Sequence, residues 1–274
     1  MQLKLLGSAA YEGIPALFCA CDVCRRAWER GGKDIRKRTS ALLNEKYLID
    51  FSPDIYPLYL EYRLPLNAME HIFITHSHSD HFNYQDLMAR ADWYSHNHQS
   101  TRLTIYGNAD VVRIGKSVLA REILESGRIC YTERAPFIPF TVDELTVTPL
   151  LAQHMQGEQA YLYLFEEDGK TLFYGLDSGY YPAPTWEALA GRHIHTAVMD
   201  CTYGKNKNDH GHCGFENVLE LCARMREIGA MDEHTQVVVN HFSHNGGVNH
   251  ADLEAMAAPY GIRVGYDGMV LEIL

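Results

Sequence analysis

The segment Thr75-His76-Ser77-His78-Ser79-Asp80-His81 follows directly on the apolar run Ile72-Phe73-Ile74, and it constrains this chain more than any other stretch. Three imidazoles and one carboxylate stand within six residues, at the end of what reads as a buried strand. A packed core does not accept that density of polar groups without a use for them. A strand end is a rigid base from which a loop can turn several side chains toward one point. Clustered His and Asp read as metal donors, and two ions held close together would use all four. A tag-like histidine tract would sit at a terminus and lack the aspartate.

The same habit recurs along the chain. His154 follows Thr148-Pro149-Leu150-Leu151, and Asp177 follows Leu172-Phe173-Tyr174-Gly175-Leu176. His241 follows Val237-Val238-Val239-Asn240, and Asp50 follows Tyr47-Leu48-Ile49. One histidine after a strand is more often a cap or a surface residue. Repeated, the pattern says more, because strand ends along one sheet edge converge on one cleft. Imidazoles and carboxylates suit zinc, manganese or iron. A carboxylate between two ions can bridge them, and a bound water then titrates near about pH 7.

A second group of donors is sulfur-based. Of seven cysteines, three bunch at Cys19, Cys21 and Cys24, and His244 lies three residues after His241. Three thiolates and one imidazole make a closed tetrahedral zinc set of the structural kind. Reduced thiols in a loop are the alternative. The N-terminus, Met1 to Ser8, is too short and too quickly polar for a signal peptide and reads as a first strand. Thiols or thiolate–metal bonds are therefore expected rather than disulfides, and the protein is expected to be cytoplasmic. No stretch is long and apolar enough to span a membrane.

The net charge of −11 argues against nucleic acid as a partner. One basic patch exists, at Arg25, Arg26, Arg30, Lys33, Arg36, Lys37 and Arg38, broken by Glu29 and Asp34. A solvated helix face explains it at least as well as a substrate funnel. With 46% hydrophobic residues and no linker or repeat, the chain reads as one domain over residues 1–274. Strands are expected over residues 1–6, 72–75, 103–106, 196–200 and 237–240, with a β-branched stretch over 140–151. Hairpins are expected at Ser40–Asp50 and at Tyr161–Gly175, the latter turning on Asp168-Gly169. Helical spacing covers a short basic helix before residue 38, then about 109–125, 215–228 and 251–258. Strands followed by helices, twice over, suggest two stacked sheets with helices outside.

His76-Ser77-His78-Ser79-Asp80-His81 matches the H-x-H-x-D-H signature, and His154, Asp177 and His241 follow in order. In these residues the chain resembles the metallo-β-lactamase superfamily. The resemblance implies an αββα four-layer α/β sandwich with a two-metal site at its edge. His76, His78 and His154 would hold one ion, Asp80, His81 and His241 the other, and Asp177 would bridge. It also implies a metal-dependent hydrolase, with Asp80 essential, that acts on phosphodiesters, lactones or thioesters rather than on antibiotics. The cysteine group with His244 looks like that of the cyclic-phosphate phosphodiesterases of phosphonate degradation. Asp50-Phe51-Ser52-Pro53-Asp54 resembles a family loop of the form D-x-x-P-D, although a plain turn-forming Asp reads equally well.

The chain departs from those enzymes over Thr202–Gly214, an insert-like loop with His210, His212 and Cys213. The family places here a histidine that contacts the phosphate and protonates the leaving group. His212 is the first choice for that role and His210 the second. The expected reaction is hydrolysis of a small cyclic or sugar phosphodiester by a hydroxide held between two zinc or manganese ions, with a third, structural zinc at the cysteines. A lactonase or thioesterase of the same fold is the alternative, then a cofactor-biosynthesis accessory protein without hydrolysis. A homodimer is compatible with the sequence, and nothing marks its interface. Trp93, Tyr94, His96 and His98 read as a packed helix end, with pocket lining as the alternative, and Tyr180-Tyr181-Pro182 as a stretch that shapes the cleft.

Overall fold

The computed structural model describes residues 1–96, 98–208 and 210–274. The first half of the chain runs β1 (Gln2–Gly7), α1 (Asp22–Arg30), β2 (Ser40–Leu43), β3 (Tyr47–Ile49), α2 (Ile55–Tyr62), β4 (His71–Phe73), β5 (Leu103–Gly107), α3 (Ala109–Val118), α4 (Arg121–Glu125) and β6 (Ile129–Glu133). The second half runs β7 (Phe140–Val142), β8 (Leu145–Leu151), β9 (Tyr161–Glu167), β10 (Lys170–Gly175), α5 (Ala183–Leu189), β11 (Thr196–Asp200), α6 (Phe215–Glu227), β12 (Gln236–Asn240), α7 (His250–Ala257), β13 (Arg263–Val264) and β14 (Val270–Glu272).

The strands form two seven-stranded sheets, ordered β14-β1-β2-β3-β4-β5-β6 and β13-β12-β11-β10-β9-β8-β7. In the first, β3 to β6 run parallel; in the second, β10 to β13 do. Leu5, Leu43, Tyr47 and Phe73 of one sheet pack on Val147, Tyr163, Phe165 and Tyr174 of the other. The outer face of the first sheet carries α2, α3 and α4 through Ile55, Leu58, Val111 and Ile123. The outer face of the second carries α1, α5, α6 and α7 through Ala27, Leu189, Leu221 and Leu253. The result is the four-layer αββα sandwich.

Burial on both faces explains why the parallel strands read as unbroken apolar runs. In Val237-Val238-Val239 the outer two valines face the helices and Val238 faces the opposite sheet. The β2–β3 turn closes with Lys46 N donating to Leu43 O at 3.0 Å, with Asn44 and Glu45 both at positive φ. Four differences from the sequence reading have local causes. The helix expected over 109–125 is broken, because Leu119 and Ala120 are extended (ψ 138° and 144°) and Leu119 turns into the core. The stretch 140–151 folds back on itself at Asp143, whose φ is 52°, to give β7 and β8. The strand expected to reach Thr75 ends at Phe73. The short α2, β6, α5 and β14 carry too few periods to stand out in the sequence.

Candidate active site

Asp50, Thr75, Asp177, Asp200 and His241 all lie at the carboxyl ends of parallel strands, where α/β sheets place their ligands. Three of them, Asp50, Asp177 and His241, have positive φ (60°, 54° and 65°). L-residues avoid this region at a cost of about 1–3 kcal/mol each. Here it swings each side chain off the strand axis into the cleft. Positive φ at three positions of one site marks a backbone shaped for function rather than for local comfort.

The His-rich loop is braced from below by Asp50. Its carboxylate accepts from Thr75 N at 2.8 Å, from Thr75 Oγ1 at 3.0 Å and from His81 Nδ1 at 2.7 Å. Since the Thr75 hydroxyl donates to Asp50, it accepts from His76 Nδ1, 3.0 Å away. Both imidazoles thereby carry their proton on Nδ1 and turn Nε2 to the cleft. Glu158 holds the same loop from the side through Ser77 N at 2.8 Å.

A matching brace comes from the second sheet. Asp200 accepts from Thr202 Oγ1 at 3.0 Å and from the Cys213 and Thr202 amides at 2.8 and 3.0 Å. Thr202 Oγ1 then accepts from His241 Nδ1 at 2.8 Å, and His212 Nδ1 donates directly to Asp200 at 3.0 Å. The two assemblies are alike: Asp, then Thr, then one imidazole through the hydroxyl and a second imidazole directly on the carboxylate. The sequence reading passed over Asp200, although Thr196-Ala197-Val198-Met199-Asp200 shows the same apolar-run-then-carboxylate pattern that flagged Asp50 and Asp177.

The groups so oriented converge. His76 Nε2 and His154 Nε2 lie 2.9 and 3.0 Å from His78 Nδ1. His81 Nε2 lies 3.3 Å from both Asp80 Oδ2 and His241 Nε2. Asp177 stands between these clusters: Oδ2 is 3.1 Å from His81 Nε2 and 3.2 Å from His241 Nε2, while Oδ1 is 3.6 Å from His154 Nε2. Such spacings suit donors around divalent ions with bonds near about 2.1 Å. Among the described residues Asp177 Oδ2 is buried with no hydrogen-bond partner, whereas both oxygens of Asp50 and of Asp200 accept hydrogen bonds. That contrast separates a carboxylate free to hold an ion from two that orient its neighbours, and the residues present fit divalent metal. Burial alone would raise the Asp177 carboxyl, but His241 and His81 hold it well below its usual range. His81 is opposed by burial and still raised well above an ordinary histidine by Asp177, Asp80 and Asp50.

A cavity of about 380 Å³ opens over these groups, lined by Asp80, His154, Asp177, His212 and His241 among others. The His212 ring stacks on His241 (centroids 5.4 Å apart, planes 15° apart). Burial works against its charge, yet the Asp200 carboxylate keeps its pKa raised to about 9. A close approach admits this loop: a Cβ on Gly179 would lie 3.1 Å from the Gly211 nitrogen. His210 is exposed and does not line the cavity. The loop turns at Gly211, with φ 74°, so side chains on either side of it diverge and only His212 enters.

The model of the Beta-lactamase superfamily domain matches residues 45–242, more than half of the chain. The chain belongs to the metallo-β-lactamase superfamily. A diphosphatase of the PhnP family has the same fold, with a TM-score of 0.78 and 22% identity over 100% of this chain and 98% of that one. Zn(2+)-bound PqqB from Methylobacterium extorquens gives a TM-score of 0.75 at 17% identity, covering 99% and 100% of the two chains. The human short-form tRNase Z gives 0.64 at 17% identity, covering all of both. A curated relative, an octanoyltransferase of Porphyromonas gingivalis, is 26% identical over 288 aligned positions that cover 98% of this chain and 51% of the relative. The chain thus spans about half the length of that relative.

The superfamily's metallo-hydrolase fold implies divalent metal ions, and the chain brings together all seven donors expected for them. It also assembles the sulfur group: the donor atoms of Cys19, Cys21, Cys24 and His244 lie within 4.8 Å of one another. His244 Nδ1 is 3.4 Å from both Cys19 Sγ and Cys21 Sγ, and Ala16 N donates to Cys24 Sγ at 3.3 Å. Cys21 caps the start of α1. Burial opposes its thiolate, but the Cys24 amide and the His244 side chain lower its pKa to about 6, while burial pushes Cys24 up to about 12. Three thiols and an imidazole fit a closed zinc site. Two expectations are corrected. Trp93 and Tyr94 are largely exposed, and Tyr94, His96 and His98 line a separate cavity against α2 rather than a packed helix end. Tyr181 is buried against Phe173 and Trp186 under α5, outside the cleft.

Proposed function

We propose that this protein is a metal-dependent phosphodiesterase for a small cyclic or sugar phosphodiester. The observation that carries the reading is the His212–Asp200 pair beside the converged donors, on one cavity of about 380 Å³. In this reading His76, His78 and His154 would hold one ion and Asp80, His81 and His241 the second, with Asp177 placed to serve both. When bound, zinc or manganese ions supply Lewis acidity that neutralises phosphoryl charge and acidifies water. The chain's own groups do the rest. Water adds to phosphorus and releases one proton to solvent, the P–O bond to one ester oxygen breaks, that oxygen takes the proton from His212, and His212 regains a proton from solvent. Asp200 keeps the imidazole charged beforehand and oriented throughout. Cys19, Cys21, Cys24 and His244 hold a third zinc with a structural role.

The net charge of −11 and the small cavity favour a small diester over nucleic acid. Among the described residues no helix is long and apolar enough to cross a membrane, and we place the protein in the cytoplasm, as one unit over residues 1–274, with a homodimer compatible with the reading. The test is cleavage of bis(p-nitrophenyl) phosphate beside p-nitrophenyl phosphate by the zinc- or manganese-loaded protein. Metal-dependent cleavage of the diester alone is expected. Cleavage of neither, with metal bound, sinks the reading. A second reading, hydrolysis of an acyl ester or thioester by the same donors, draws support from the octanoyltransferase relative. An octanoyl thioester assayed in parallel discriminates the two.

A further inference from the structure

Glu12 lines the active-site cavity beside the turn that follows His241, where Ser243 N donates to Thr202 O at 3.1 Å, and no expectation from sequence pointed to it. It sits in the loop between β1 and α1, beside Tyr11, with its side chain 24% exposed. Its contacts all fall on one oxygen. Oε1 accepts from Ser243 Oγ, lies 3.5 Å from Asn245 Nδ2 and 3.5 Å from His244 Nε2. Oε2 has no hydrogen-bond or ion-pair partner among the described residues.

A half-satisfied carboxylate is out of place in a cavity built to receive an anion. It repels the phosphoryl group and loses hydration when ligand enters. Its presence is accounted for if the ligand itself brings a donor to Oε2. An ammonium would have to lie against the divalent ions that the neighbouring donors hold, whereas a hydroxyl carries no charge into that field. Carboxylates read sugar hydroxyls in this manner elsewhere.

We propose that Glu12 is a specificity residue that accepts a hydrogen bond from a hydroxyl of the substrate, so that the ligand class is a phosphate ester of a polyol or sugar. This rests on the phosphodiester reading and narrows it. Ser243 Oγ holds Glu12 Oε1, and His244, whose Nδ1 faces Cys19 and Cys21, supports the same oxygen through Nε2 at 3.5 Å. The sulfur centre thereby orients one wall of the cavity, and the turn Ser243-His244-Asn245 transmits it.

The experiment is calorimetric binding of three probes to the metal-loaded protein and to Glu12→Ala and Glu12→Gln: inorganic phosphate, ribose 5-phosphate and phosphoethanolamine. The parent protein is expected to bind ribose 5-phosphate about ten-fold or more tightly than inorganic phosphate, the effect of one hydrogen bond to a charged group. Glu12→Ala is expected to erase that preference and Glu12→Gln, whose amide oxygen still accepts, to reduce it, while the zinc content stays unchanged and inorganic phosphate binds no more weakly than to the parent. Equal affinities in the parent overturn the inference and leave the phosphodiesterase reading standing. A preference for phosphoethanolamine that depends on Glu12 overturns the hydroxyl assignment. If the variants shed zinc or weaken all three probes alike, Glu12 only braces His244, and the inference fails. If the loaded parent binds no phosphate at all, both readings fall together.

Discussion

The two sheets meet the cleft with the same device and use it differently. In the first sheet Asp50 and Thr75 orient His76 and His81, and both imidazoles point at the converged donors. In the second, Asp200 and Thr202 orient His241, which joins the donors, and His212, which faces the cavity instead. The carboxyls differ accordingly. Burial raises that of Asp50 despite His81, whereas His212 and His241 outweigh burial and lower that of Asp200. One brace serves to hold donors still. The other also keeps a proton available. The lesson is that a hydrogen-bond pattern does not name a role; the direction of the second imidazole does.

Five variants test this contrast. Asp80→Ala removes a donor outright and sets the ceiling. It is expected to cost a thousand-fold or more in kcat, the several kcal/mol that metal stabilisation of charge supplies, with an unchanged melting curve. Next comes the second-sheet brace. His212→Ala is expected to lower kcat by about 10²–10⁴-fold on a poor leaving group such as an alkoxide. The loss should shrink for p-nitrophenolate, which leaves without a proton, and Asp200→Asn should follow the same leaving-group trend. An equal loss on both substrates would break the comparison, since His212 would then be acting as a donor or as packing.

The first-sheet brace should fail in another way. Asp50→Asn is expected to weaken metal binding by about 10–100-fold, with kcat recovering as metal is added. Equilibrium dialysis against zinc reads this directly, and kcat that stays low at saturating metal would count against it. The smallest effect on turnover belongs to the sulfur centre. Cys21→Ser is expected to lose one zinc equivalent and to lower the melting temperature by about 10 °C, because that metal's binding energy is partly folding energy. Its kcat should hold, with KM rising as Glu12 loses its support. A variant that melted like the parent and kept its metal count would show that the cysteines are ordinary thiols.

Much of the site was legible before any fold was known. His76, His78, Asp80 and His81 share one loop after the apolar run Ile72-Phe73-Ile74, and His154, Asp177 and His241 each come after an apolar run of their own. A strand buried on both faces must be apolar throughout, so a ligand-type residue at its end stands out against its own neighbours. The three clustered cysteines are legible for a similar reason, since their spacing is local. The limit is visible in Asp200, which shows the same local pattern but earns its meaning only from Thr202, His212 and the Cys213 amide. The resemblance put His212 before His210 in the loop that carries both, without a local reason; the turn at Gly211 and the approach to Gly179 are what bring His212 into the cavity. Glu12 carries no signal at all, because its partners lie 231 and 233 positions away.

The sequence by itself therefore determined the donor types, their order and the kind of sheet that presents them, since these follow from residue chemistry and the burial of parallel strands. Tertiary structure alone decided which carboxylates are saturated by hydrogen bonds and which keep a free oxygen. That property depends on groups brought together from both ends of the chain, and no local pattern encodes the packing of two sheets against each other.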